Sequence, residues 1–439
     1  MMNLLRRLVG IGTCLLAFSL PVVAATPTSW KLTCSDSGRH GFQTLAGTID
    51  NSVDGLKDGS RSFGFDLAPP PAVKDGSCVG DAPFFVSGPV PEGNYLVTVV
   101  LGNSTAASTT TIKAEARRLM LWGVETKAGQ SLKRSFIVNV RSPLIAPDQT
   151  VKLKPREIGN MDWDHKLTLE FTGDHPSFKT IEIEAVSVPT VYLAGDSTVV
   201  DQDKEPWAAW GQMLPAFFTE KLAIANHAES GETIRSFVGE RRLDKILSSL
   251  RRADYLFMQF AHNDQKPGAG QVPIRQYKEL LTKYISLARE KGAYPVLVTS
   301  MNRRSFAADG TVEQTLGGYP ETMREVAKEQ SVPLIDLNAM SKTLFEAMGP
   351  EGTRMAFVHY PANTFPGQAE ELKDDTHFNS YGALELTKCV VEAIRELDLP
   401  IAKDIRPEIP KFAPARPDAA SIWNLPLDPF LTAQKPYER

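Results

Sequence analysis

Between about residues 26 and 188, apolar and polar side chains alternate, or β-branched residues cluster, in short segments separated by turn residues. Segments 95–101, 109–114, 135–140, 166–171 and 180–184 read this way, and Glu92, Gly93 and Asn94 supply a turn ahead of the first. A period of two puts successive side chains on opposite faces of a strand. No long helical pattern interrupts these segments, so the region predicts an all-β sandwich.

From Thr190 the texture changes. Apolar runs at 191–194, 224–228, 255–261, 294–299 and 332–337 alternate with amphipathic stretches such as 275–290 and 320–329. A last helix is expected over 380–397. Short, wholly apolar strands between helices predict a parallel sheet covered on both faces. The functional loops of such a sheet lie beyond the carboxyl ends of its strands. After Leu399 the chain becomes rich in proline, which predicts an extended tail. Trp423, Leu425 and Phe430 within it predict that the tail wraps on the surface. The expected organisation is a signal peptide over 1–25, a β-sandwich over 26–188, an α/β catalytic domain over 189–399 and a proline-rich tail over 400–439.

The export signal rests on Arg6 and Arg7, an apolar stretch over 8–23 and small residues Ala24 and Ala25. Gly10, Gly12 and Pro21 break that stretch, and no later segment is long and apolar enough to cross a membrane. The mature protein is therefore expected to be secreted or periplasmic, with no membrane partner once the signal is removed. Of the four cysteines, Cys14 falls in the signal, and Thr13 before it argues against lipid attachment there. Cys34 and Cys78 fit a disulfide in an exported chain. Cys389 lies in a helical pattern and reads as a small buried apolar residue. The 439 residues, 42% hydrophobic and 23% charged, have the balance of a globular protein with two or three domains. A net charge of −4 without a Lys/Arg cluster excludes nucleic acid as a partner. Oligomeric state is not encoded in any of these features.

Candidate chemistry gathers at the carboxyl ends of the expected strands. The first ends in Ala194, Gly195, Asp196, Ser197 and Thr198. A serine at a tight strand-to-helix turn exposes its hydroxyl above the sheet, and Gly195 is expected to supply the turn. The plain alternative is a helix cap by Asp196 and Ser197. Gly231 follows the second strand and offers a bare backbone N–H. Asn263 follows the third and offers a side-chain amide, both suited to an oxyanion. Alone, each reads as a loop residue, and His262 beside Asn263 reads as packing. Asp374 and His377 stand before the last helix, three residues apart, close enough for a tight turn to join carboxylate and imidazole. The plain alternative there is a polar helix start, and Asp375 is expected to point elsewhere. Independent caps would not supply a nucleophile, two oxyanion donors and an oriented base together. Trp207, Trp210, Tyr319 and Tyr360 suit either sugar stacking or packing, with packing the more common use. The seven histidines have no paired metal-ligand spacing, so no cofactor or metal is expected.

This combination resembles the SGNH (GDSL) hydrolase superfamily over about residues 190–397. The matching positions are Gly195, Asp196 and Ser197, then Gly231, then Asn263, then Asp374 to His377. More narrowly it is similar to the rhamnogalacturonan acetylesterases of carbohydrate esterase family 12, on the stretches 192–198, 210–212, 260–264 and 374–378. One departure stands at Ala261, where the third block usually has glycine. Its methyl group is expected to tighten the loop. The resemblance implies a flavodoxin-like three-layer α/β/α parallel sheet. It also implies Ser197 as nucleophile, His377 as base and Asp374 as its orienting carboxylate, with an oxyanion hole made by Ser197, Gly231 and Asn263. The preceding β region resembles galactose-binding-like modules. The expected partner is an acetylated polysaccharide or oligosaccharide, specifically the pectic polymer rhamnogalacturonan. An esterase on acetylxylan, a peptidoglycan O-acetyl or a lipid, and an inactive carbohydrate-binding protein, stay open on the sequence.

Overall fold

The computed structural model describes residues 29–35, 41, 43–48 and 62–436. The expected signal segment lies outside them. Strands Thr190–Gly195, Ala223–Asn226, Tyr255–Gln259, Tyr294–Val298 and Leu334–Ile335 form one five-stranded, all-parallel sheet. Numbered along the chain, their spatial order is second, first, third, fourth, fifth. The strands read as wholly apolar because both faces are covered. Val191, Leu193, Phe257, Val296 and Val298 face one core with helix Ser380–Glu396. Tyr192, Ala194, Leu256, Met258 and Leu297 face the other, under helices Ile274–Glu290 and Tyr319–Gln330. Each fully buried large aliphatic side chain contributes about 1.5–3 kcal/mol. Strand order reverses between the first and third strands, the position where sheets of this kind open a crevice.

Residues before Thr190 build two mainly antiparallel sheets around one shared core. One sheet includes Leu132–Val140, Gly93–Leu101, Ser177–Val186 and Ser29–Thr33; the other includes Arg118–Thr126, Ser108–Ala114, Lys166–Asp174 and Phe84–Pro89. A disulfide joins Cys34 and Cys78, and Cys389 is a buried free thiol whose pKa burial pushes up. Strand Arg118–Thr126 has no counterpart among the sequence-predicted segments, because its first residue is charged. That charge is buried against the α/β part. Arg118 Nη1 donates to Asn139 O at 2.8 Å and Nε lies 3.0 Å from Asp201 Oδ2. The adjacent turn, with Glu115 and Arg117 at left-handed φ of 54° and 63°, plugs into the loop after Ser197. Arg117 Nη1 donates to Gln202 O and Trp207 O, both at 3.0 Å.

Two expectations near the carboxyl terminus are corrected. The run expected as a strand over 332–337 pairs only at Leu334–Ile335, because Asp336 accepts Ala339 N–H at 3.3 Å and starts helix Leu337–Gly352. Residues 374–377 are not in a loop. They lie in strand Leu372–Phe378, paired antiparallel with Phe357–Tyr360. Asp and Thr favour turns, so this pairing is invisible without its partner strand across the 361–371 loop. No helix among the described residues is long and apolar enough to cross a membrane.

Candidate active site

The first parallel strand ends at Gly195, and the chain then turns tightly around Asp196. Its buried carboxylate accepts Thr198 N–H at 2.9 Å and the Thr198 hydroxyl at 2.7 Å, while its carbonyl accepts Val199 N–H at 3.0 Å. Ser197 is left at the head of the turn. Gly195 is required for closeness rather than for an unusual turn, since its φ is not left-handed. A Cβ there would stand 2.6 Å from Val199 Cγ2 and 3.0 Å from Gln259 O. Gly195→Ala must therefore displace the serine turn. We expect a loss of about 1–3 kcal/mol of stability and at least about tenfold in kcat, checked by thermal unfolding and ester turnover.

His377 reaches this serine from the hairpin. Phe357 pairs with Phe378, but Val358 pairs with Asp374, so residues 375–377 bulge out of the ladder. The bulge aims the imidazole: Nε2 lies 2.8 Å from Ser197 Oγ and Nδ1 lies 2.8 Å from Asp374 Oδ2. Asp374 Oδ1 accepts the N–H groups of Thr376 at 2.8 Å and His377 at 3.0 Å. Burial by itself raises the Asp374 carboxyl, but the hydrogen bond and charge of His377, with the Lys435 ammonium nearby, bring it down to about 2. Asp375 turns away to Arg304 at 3.1 Å and His359 at 2.8 Å. The hairpin is fixed by the last helix. Gly382 lies so close to Ala356 that a Cβ would stand 2.0 Å from its carbonyl oxygen.

Gly231 follows the second strand with a left-handed φ of 80°. Residues from the β region brace its loop: Ser230 O accepts Lys154 Nζ at 2.8 Å and Arg156 Nη2 at 2.6 Å. Asn263, buried after the third strand, donates Nδ2 to Glu232 O at 3.0 Å and accepts Lys266 Nζ at 3.1 Å through Oδ1. Ala261 is buried in the apolar core without a left-handed φ, so its methyl group is accommodated without backbone strain. His262 Nδ1 lies 3.6 Å from Asp196 Oδ2, and burial lowers the pKa of this ring. Trp207 stands edge-on to the His377 ring at 5.9 Å, while Trp210 is fully buried and donates to Gln259. The Tyr319 hydroxyl is used up on Asp264 O and Val272 O, and that of Tyr360 accepts from Asn379.

A cleft of about 350 Å³ opens beside this file, lined among others by Arg156, Gln202, Ser230, Gln434 and Lys435. A larger cavity of about 550 Å³ lies between the β region and the sheet edge, and neither it nor the cleft is lined by Ser197, Asp374 or His377. The cleft is linked to the file through Lys435, which lines it and stands 3.4 Å from Asp374 Oδ2. Among the described residues no group of three His, Cys, Asp or Glu side chains is arranged to hold a metal ion.

The profile of the GDSL-like lipase/acylhydrolase family matches residues 193–383, the stretch from the first parallel strand to the last helix. The rhamnogalacturonan acetylesterase RhgT of Bacillus subtilis (strain 168) is 46% identical over 213 residues, spanning 48% of this chain and 91% of that protein. This chain belongs to the GDSL-like lipase/acylhydrolase family. Within that family it is rhamnogalacturonan acetylesterase-like and a carboxylic ester hydrolase. A second relative, the probable rhamnogalacturonan acetylesterase YesY of the same organism, is 36% identical over 219 residues, 49% of this chain and 96% of that protein. A rhamnogalacturonan acetylesterase of Emericella nidulans is 26% identical over 227 residues, 47% of this chain and 84% of that protein. For this GDSL-type hydrolase, sequence reasoning missed Lys154 and Arg156, which brace the Gly231 loop, and Lys435, which reaches Asp374. All three lie outside the family match, and nothing in their local sequence points to the site.

Proposed function

We propose that the protein is an exported serine esterase that removes O-acetyl groups from acetylated rhamnogalacturonan. The observation that carries this reading is the hydrogen-bonded file from Ser197 through His377 to Asp374, within a chain 46% identical to a protein named for that activity. Ser197 Oγ attacks the acetyl carbonyl while His377 Nε2 takes its proton. Asp374 holds Nδ1 protonated and stabilises the imidazolium. The tetrahedral oxyanion is met by the backbone N–H groups of Ser197 and Gly231 and by the Asn263 amide. That amide has two hydrogens, of which Glu232 O takes one. His377 then returns the proton to the departing sugar oxygen. Water attacks the acetyl-enzyme by the reverse sequence, and acetate leaves. The β region, as a galactose-binding-like module, holds the polymer near the cleft.

Acetate release from acetylated rhamnogalacturonan and acetylated xylan, side by side, tests the reading. Release from the pectic polymer supports it. Release from xylan alone keeps the chemistry and overturns the substrate. No release from either polymer or from a small aryl acetate overturns the enzyme reading. Asn263→Ala is expected to lower kcat about 10²- to 10³-fold with little change in KM, because its extra hydrogen bond forms only as charge develops. A KM effect alone would assign Asn263 to ground-state binding.

A further inference from the structure

The carboxyl-terminal segment 426–436 closes one side of the site, far along the chain from the strands that carry it. Its backbone pairs with the loop after Ser197: Glu205 N–H donates to Phe430 O at 2.9 Å, and Thr432 N–H donates to Glu205 O at 2.8 Å. Phe430 packs on Phe85 at 5.7 Å, and the buried Asp428 carboxylate lies 3.9 Å from Arg117 and 4.0 Å from Lys113. Trp207, the ring beside His377, donates Nε1 to Thr432 O at 3.3 Å. Three residues further on, the Lys435 ammonium stands 3.4 Å from Asp374 Oδ2. That oxygen is the one that accepts His377 Nδ1–H. The other oxygen is already taken by two backbone N–H groups.

We propose that Lys435 is a positioning residue of this hydrolase: the carboxyl-terminal segment carries it to Asp374, where it fixes the carboxylate and sets the pH range in which His377 works as a base. The inference rests on the acyl-transfer reading above. A cation at Oδ2 holds the carboxylate in its ionised, hydrogen-bonded orientation. It also offsets part of the attraction between that carboxylate and an imidazolium, so His377 gives up its proton at lower pH. Other titratable or charged groups near the pair include His262, with Asp196 behind it, and Arg303, which donates to the Thr376 hydroxyl at 3.2 Å and to His262 O at 3.1 Å, while Arg156, Asp203, Lys204 and Glu229 line the same cleft as Lys435. None of these contacts involves Lys435. Its side chain is 48% exposed, so the effect is partly screened by salt.

The test compares pH profiles of kcat/KM on a small aryl acetate for the full-length protein, K435Q and K435R, with an NMR titration of the His377 ring signals. In K435Q the acid limb moves to higher pH by about half a unit, a roughly threefold loss on that flank. K435R keeps the limb where the native protein has it, and 1 M salt moves the native limb toward that of K435Q. The proposal is overturned if the limb stays in place in K435Q, if K435R shifts as far as K435Q, or if K435Q loses rate equally at every pH. The NMR midpoint follows the charge at position 435 whether or not Ser197 is the nucleophile. An active Ser197→Ala variant would therefore sink the acyl-transfer reading and leave the midpoint to decide the role of Lys435.

Discussion

Ser197→Ala is expected to lower kcat for acetate release about 10⁴- to 10⁶-fold while the protein stays folded. The hydroxyl faces His377 Nε2 at 2.8 Å, the contact through which its proton leaves. Its loss leaves one buried imidazole nitrogen without that partner, a cost of about 1–3 kcal/mol against a typical total of about 5–15 kcal/mol. His377→Ala should cost a similar factor, and the double variant no more than either alone, because the two act in one proton transfer. Asp374→Ala should retain more activity, since attack and oxyanion stabilisation survive without an oriented base. Acetate assays with a thermal melt of each variant check the series. More than about 1% residual turnover in Ser197→Ala would remove it from the mechanism. The pH dependence follows the same logic. With its folded pKa lowered to about 2, Asp374 contributes stability that is fully present above about pH 4 and lost as pH falls through about 2. An acid limb of activity above pH 4 therefore does not report Asp374.

Arg118→Ala is expected to destabilise the protein by about 3–5 kcal/mol, the range for removing one partner of a buried ion network. The guanidinium is fully buried between the β region and the α/β part. It serves Asn139 O at 2.8 Å, Asp201 at 3.0 Å and Asp162 at 3.3 Å. Without it, those two carboxylates retain Arg141, 3.0 Å from Asp162 but 3.9 Å from Asp201. Burial, with the charge of Asp162, already pushes the Asp201 carboxyl up to about 7. Losing Arg118 raises it further. An acid with a raised folded pKa loses stability as pH climbs above its unfolded value near 4. The deficit of the variant should therefore be larger at pH 8 than at pH 5. Urea unfolding at both values checks it, and a deficit below about 1 kcal/mol at both would mean that the network adds little. Asp201 lies four residues after Ser197, so the variant should also lose turnover.

The hydrophobic pattern by itself determined much of this protein. Wholly apolar runs between amphipathic helices could only be strands of a sheet buried on both faces, and that placed Ser197, Gly231 and Asn263 at its carboxyl edge. The spacing of Asp374 and His377 made their pairing readable, because three residues of chain cannot hold the two groups far apart. Local sequence carries periodicity and short-range turns, and these features need nothing more. What it lacks is any term for the partner that a segment meets only once the chain has folded. The strand that carries His377 exists only because Phe357–Tyr360 pairs with it, and the bulge that aims the ring is a mismatch in that pairing. Arg118 and Lys113 look like surface residues until Asp201, Asp428 and Glu170 neutralise them inside the protein. Lys154, Arg156 and Lys435 act on the site from outside the family match, through ion pairs and carbonyl contacts that no periodicity records. Elements are fixed by patterns along the chain. The completed site is fixed by which charges the fold buries against one another, and tertiary structure alone decides that.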